Sequence, residues 1–97
     1  PIDWTRTAAQ IHDQVRGLIP WPSATAELNG VKCKIFATAV LDETTGKAPG
    51  SVLAADKKGL KIACGEGTVL RIDTLQAAGG KRMAAADYLR GHPIPVD

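Results

Sequence analysis

Asn29-Gly30, set between residues 24–28 and 31–42, narrows the folds open to this chain more than any other feature. Two adjacent residues that tolerate positive φ form the tight turn whose twist matches paired strands, so the flanking runs are predicted to be an antiparallel hairpin. In the second run Val31, Cys33 and Ile35 alternate with Lys32 and Lys34, putting the apolar residues on one face and both lysines on the other. Phe36 and Val40 then fall on the lysine face. Such a slip predicts a long strand that bends around a closed sheet or meets another element.

The rest of the chain continues in short strand-like runs. Residues 42–50 form a polar loop ending in Pro49-Gly50, residues 51–55 a short strand, and Asp56-Lys57-Lys58-Gly59 a turn. Leu60, Ile62 and Cys64 alternate with Lys61 in another half-buried strand. Gly65-Glu66-Gly67 reads as a tight turn, too short and too acidic to cradle a phosphate. In residues 68–76, Leu70 and Ile72 point one way and Arg71 and Asp73 the other, with Val69 and Leu75 on the polar face. Five strands and 97 residues predict one domain, residues 1–97, mainly β with a helix before and a short helix after the strands. A small Greek-key barrel, closed or partly open, suits them better than a flat sheet with exposed edges.

Thr7-Ala8-Ala9-Gln10 has the form of a capping box, and Ile11, Val15 and Leu18 then recur at helical spacing. Arg16 suits the dipole at the end of that helix, and Gly17 is a plausible stop. His12, beside the stripe, reads as a solvated or edge histidine. In Ile19-Pro20-Trp21-Pro22 the prolines force extended geometry on Ile19 and Trp21. Trp21 is expected to plug the barrel or pack on the helix, the alternative being base stacking, which requires an exposed ring. Further on, Gly79-Gly80 frees the backbone, Lys81-Arg82 follows, and residues 84–90 form a short helix. Two cations beside a helix start suggest a phosphate grip, the alternative being a solvated loop.

A net charge of +2 is far from the balance of a self-sufficient nucleic-acid binder, so such a role must rest on local clustering. Six of the seven lysines lie between Lys32 and Lys61, while Asp3, Asp13 and Glu27 nearly neutralise the first thirty residues. Cys33 and Cys64 stand outside any CxxC or Cys/His grouping and read as buried thiols in a reducing cytoplasm, with no metal site. No apolar run is long enough to cross a bilayer and no signal-peptide pattern opens the chain, so no membrane partner is expected. Two histidines, two serines and scattered carboxylates offer no catalytic grouping, and Gly80-Lys81 lacks the spacing of a Walker loop. Pro1 in place of an initiator methionine is expected of a piece of a longer protein.

Ile2-Asp3-Trp4, the segment Ile11-His12-Asp13-Gln14-Val15-Arg16-Gly17-Leu18, then Pro20-Trp21-Pro22-Ser23-Ala24 and Asn29-Gly30 resemble the start of the C-terminal domain of the methionyl-tRNA formyltransferases, a folate-dependent formyltransferase family. Gly50 with the strand after it, and the stretch from Gly79 through Tyr88-Leu89 to Gly91, resemble that domain's end. The resemblance implies a barrel akin to an OB fold, joined to an N-terminal catalytic domain that binds 10-formyltetrahydrofolate and holds the Asn, His and Asp of formyl transfer. It implies no catalytic residue and no cofactor here, and a role in holding the initiator tRNA through its backbone. Lys81 and Arg82 lead the candidates for that role, with Lys32 and Lys34 next. Arg71 and Lys61 are weaker, as are Lys57, Lys58 and Arg16. Where the family more often caps the last helix with serine, this chain has Ala84, which weakens the helix start by about 1 kcal/mol. The competing expectation is a structural or self-association module of a folate-dependent formyltransferase acting on a non-RNA substrate.

Overall fold

The computed structural model describes residues 1–19 and 21–97; Pro20 lies outside the described residues, and Ile19, Trp21 and Pro22, read as extended, lie in turns. A helix α1 (Ala8–Gly17) precedes the strands β1 (Ala24–Leu28), β2 (Val31–Thr44), β3 (Val52–Asp56), β4 (Gly59–Ala63), β5 (Thr68–Ala77) and β6 (Arg82–Ala84), and a helix α2 (Ala85–Gly91) follows. The capping box is complete. Gln10 N–H donates to Thr7 Oγ1 at 3.2 Å, and Thr7 N–H donates to the Gln10 side-chain oxygen at 3.0 Å. Ile11 and Val15 are buried against the sheet, as the stripe requires.

All pairings are antiparallel, in the order β1-β2-β5-β4-β3, with β6 added to β5. Strands β5, β4 and β3 are hairpin neighbours while β2 lies beside β5, which is the Greek-key arrangement. The β1–β2 turn has φ of 50° at Asn29 and 83° at Gly30, the conformation that makes this dipeptide a hairpin former. At roughly 3.3 Å per residue a straight β2 would be about 46 Å long. The molecule's longest dimension is 33 Å, so this 14-residue strand has to bend.

The bend sits at a paired irregularity. Ile35 faces Leu75, Ala37 faces Thr74 and Thr38 faces Ile72, so each strand carries one extra residue over the same short stretch. Parity therefore changes on both strands: Cys33 and Ile35 face the core before it, and after it Thr38 and Val40 are paired with the buried Ile72 and Leu70, although Val40 itself is 45% exposed. This corrects three sequence expectations. Leu75 is fully buried and Val40 leaves the lysine face, while Val69, expected on a polar face, is buried beside Ala63.

The other departure is at β6. Residues 82–84 pair with β5 (Thr74↔Ala84, Leu75↔Met83, Gln76↔Arg82), and the helix begins only at Ala85. Ala84 as N-cap makes no side-chain cap bond. Arg82 thus sits on a strand instead of at a helix start, and the expected grip at the helix terminus gives way to a strand-borne one.

Cys33 and Cys64 are free and buried. Burial pushes the Cys64 thiol from its ordinary 9.0 up to about 11 and raises Cys33 as well. Between those two values the folded chain keeps a proton that the unfolded chain releases, so stability is intact below pH 9 and falls as pH climbs to 11. The drop attributable to Cys64 is roughly 2 to 3 kcal/mol. Urea midpoints for the parent and for Cys64→Ala at pH 8, 9.5 and 11 should show the variant losing less over that range; parallel decline in both refutes it.

Candidate nucleic-acid interface

Directly opposed residues of an antiparallel pair point to the same face. Thr25 opposes Lys34, Lys34 opposes Gln76, and Gln76 opposes Arg82, which makes one row across β1, β2, β5 and β6. It lies on the face away from the core, because the neighbouring row of Ala24, Ile35 and Leu75 is buried. Lys32, two residues before Lys34, joins the same face, with Glu27 opposite it tempering the β1 end. At about 4.8 Å per strand, Lys34 and Arg82 stand roughly 10 Å apart.

Phe36, the apolar residue that broke the lysine-face pattern, has a use here. The Arg82 guanidinium carbon lies 3.8 Å from its ring centroid. A cation held over an aromatic face is attracted by the ring quadrupole, and its planar edge stays open to solvent. The 77–80 turn is fastened beside it. Ala78 N–H donates to Lys32 O at 2.9 Å, Gly80 N–H to Ala77 O at 2.9 Å, and Gln76 Nε2 to Gly80 O at 3.1 Å. Gly79 takes a φ of 78°, which a side chain would resist. Lys81 emerges from this turn exposed. Among the described residues Lys32, Lys34, Lys81 and Arg82 form no ion pair.

Beside the row a groove of about 500 Å³ is lined by Trp21, Pro22, Thr25, Lys32, Lys34, Gln76 and the start of the turn. Trp21 is 82% exposed, so it neither plugs the sheet nor packs on α1 as expected. Composition and local pattern carry no signal for where such a ring points.

The weaker candidates separate from this surface. Lys61 Nζ is bound by Glu43 at 2.9 and 3.2 Å, and Arg71 by Asp73 at 2.5 and 3.2 Å. Lys61 and Arg71 face each other across β4 and β5, and the two carboxylates offset that repulsion. Arg71 is five residues along β5 from Gln76, roughly 16 Å. Arg16 is paired with Asp13 at 3.0 Å on α1, and Lys57 and Lys58 occupy the β3–β4 turn. His12 is an edge histidine, its Nδ1 2.8 Å from Thr38 Oγ1. Among the described residues no three potential metal ligands cluster, and no helix is long and apolar enough to cross a membrane.

Residues 1–93 match the family model for the formyl transferase C-terminal domain. Relatives include a methionyl-tRNA formyltransferase of Enterococcus faecalis, 50% identical over 93% of this chain and 29% of its own length. Another from Gluconobacter oxydans is 50% identical over 97% of this chain and 30% of its own, and one from Bacillus subtilis is 43% identical over 93% and 28%. The chain therefore spans about three-tenths of these relatives. Among solved structures, HypX from Aquifex aeolicus in complex with tetrahydrofolic acid shares the fold at a TM-score of 0.73 and 20% identity, over 99% of this chain and 18% of that one.

Proposed function

This chain belongs to the formyl transferase C-terminal domain family, and from that premise we propose that it is the part of a methionyl-tRNA formyltransferase that holds and orients initiator methionyl-tRNA. A separate N-terminal catalytic domain would then transfer the formyl group from 10-formyltetrahydrofolate for translation initiation in the cytoplasm. The observation that carries this reading is the unpaired cationic row of Lys32, Lys34 and Arg82, with exposed Lys81 beside Arg82 in the chain, since phosphate contacts position a nucleic acid without reading its sequence. Four such contacts are weak alone. Tethered to a second domain that engages the same RNA, they act at high effective concentration, and a net charge of only +2 suffices. We assign the formyl donor to the catalytic domain.

The fold shared with HypX supports a second reading, a structural or self-association module of a folate-dependent formyltransferase acting on a non-RNA substrate. Titration of this chain with labelled tRNA at two salt concentrations separates the two readings. A tRNA-holding domain binds weakly, with little base preference and strong salt dependence, and a packing module shows none. Replacing Lys81 and Arg82 by alanine should flatten the plot of log affinity against log salt by roughly 0.7 to 0.9 per lost contact. An unchanged slope rules those two residues out.

A further inference from the structure

We propose that Trp21 is a stacking platform for one unpaired RNA base, with Lys32 and Lys34 taking the adjoining phosphates; this rests on the tRNA-holding reading above and adds a binding mode to it. Of the chain's four aromatic residues Phe, Trp and Tyr, the other three are buried or partly buried, whereas the Trp21 ring is 82% exposed. Ser23 N–H donates to Leu18 O at 2.8 Å, which ties the chain after the ring to the residue that ends α1.

The chemistry around the ring decides what that partner is. Thr25, Gln76 and two lysines outside any ion pair share the groove with Trp21 and Pro22, and among the described residues that line it none is acidic. The cores of protein interfaces are poor in lysine, so this lining is ill suited to an apolar protein neighbour. A nucleotide offers both halves of what the groove can bind, a flat π-face and an anion. The volume of about 500 Å³ is in the range that holds a small molecule. Every base has a π-face, so stacking adds affinity without sequence preference. Bases inside a duplex are already stacked, and the platform therefore favours unpaired segments.

The test uses this chain with two probes, single-stranded octa-adenylate and an RNA duplex of eight base pairs. With Trp4→Phe as background, Trp21 is the remaining tryptophan; if that variant misfolds, the difference between the parent and Trp21→Phe reports the same emission. The single strand should quench Trp21 and the duplex should not. Trp21→Ala should weaken octa-adenylate binding roughly tenfold with the salt slope unchanged, and Trp21→Phe should retain most of the affinity. Affinity within twofold of the parent for Trp21→Ala, as for a ring reserved for a protein neighbour, overturns the stacking role and leaves the cationic surface standing. Equal quenching by the duplex does the same. Absence of salt-dependent RNA binding by the parent overturns both readings.

Discussion

Gly65→Ala is expected to cost about 3 kcal/mol or more of folding stability, a large share of what a chain of this size has. A Cβ at Gly65 would lie 1.9 Å from the carbonyl oxygen of Thr5, 2.7 Å from its carbon and 3.0 Å from the Arg6 carbonyl carbon. All three are main-chain atoms, so no flexible side chain can move aside. The obstruction is steric alone; Gly65 is not among the residues with positive φ. Relief requires the 5–6 segment to lift away, and that breaks Gly65 N–H to Arg6 O at 2.7 Å. The neighbouring links suffer too: Thr68 Oγ1 donates to Gly65 O at 2.7 Å and accepts from Ala8 N–H, the first residue of α1, at 2.9 Å. Each lost bond adds about 1 kcal/mol, and more where a buried partner is left unpaired. Urea unfolding followed by circular dichroism measures the loss, with Gly46→Ala as the control because a Cβ there meets nothing. A loss below 1 kcal/mol for Gly65→Ala would mean that the N-terminal segment is not seated on this turn.

Replacing Lys32, Lys34, Lys81 and Arg82 together by alanine is expected to lower tRNA affinity by roughly two to three orders of magnitude at low salt and to flatten the salt plot by about 3. All four side chains are exposed, so the fold should survive. Its one direct loss is the Arg82–Phe36 contact, worth about 0.5 to 1 kcal/mol. The comparison that gives the result meaning is Lys61→Ala with Arg71→Ala. Those cations are already engaged by Glu43 and Asp73, and their removal should change affinity by less than a few-fold. If the second pair matters as much as the four, RNA lies along β4 and β5 and the row across β1, β2, β5 and β6 is the wrong surface.

Local chemistry made much of this architecture readable in advance. Asn29-Gly30 announces its turn because few dipeptides accept two positive φ values in succession, and Thr7 with Gln10 announces a helix start because both bonds form within four residues. Elements whose existence depends on distant partners were not readable. Strand β6 has three residues, too few for a period, and is a strand only because β5 lies beside it. Leu75 breaks strict alternation with Ile72 because β2 and β5 each accommodate an extra residue at the same place, a property of the pair and not of either sequence. In the candidate site, Lys32 and Lys34 were legible from alternation, whereas the placement of Arg82 over Phe36 joins residues 46 positions apart. The pairing of Arg71 with Asp73 could have been anticipated, since residues two apart on a strand share a face.

The order in which the chain is made bears on the long bent strand. β2 leaves the ribosome some thirty residues ahead of β5, its partner along most of its length, an interval of roughly 2 to 7 s at ordinary elongation rates. During that wait a strand containing Ile35, Val40 and Leu41 is a template for adhesion to other nascent chains. Helix α1 and strand β1 are synthesised before β2, and both contact it in the finished molecule. The newborn strand thus meets a companion on one edge and a cover on one face as it emerges, which leaves a single open edge for β5 to close.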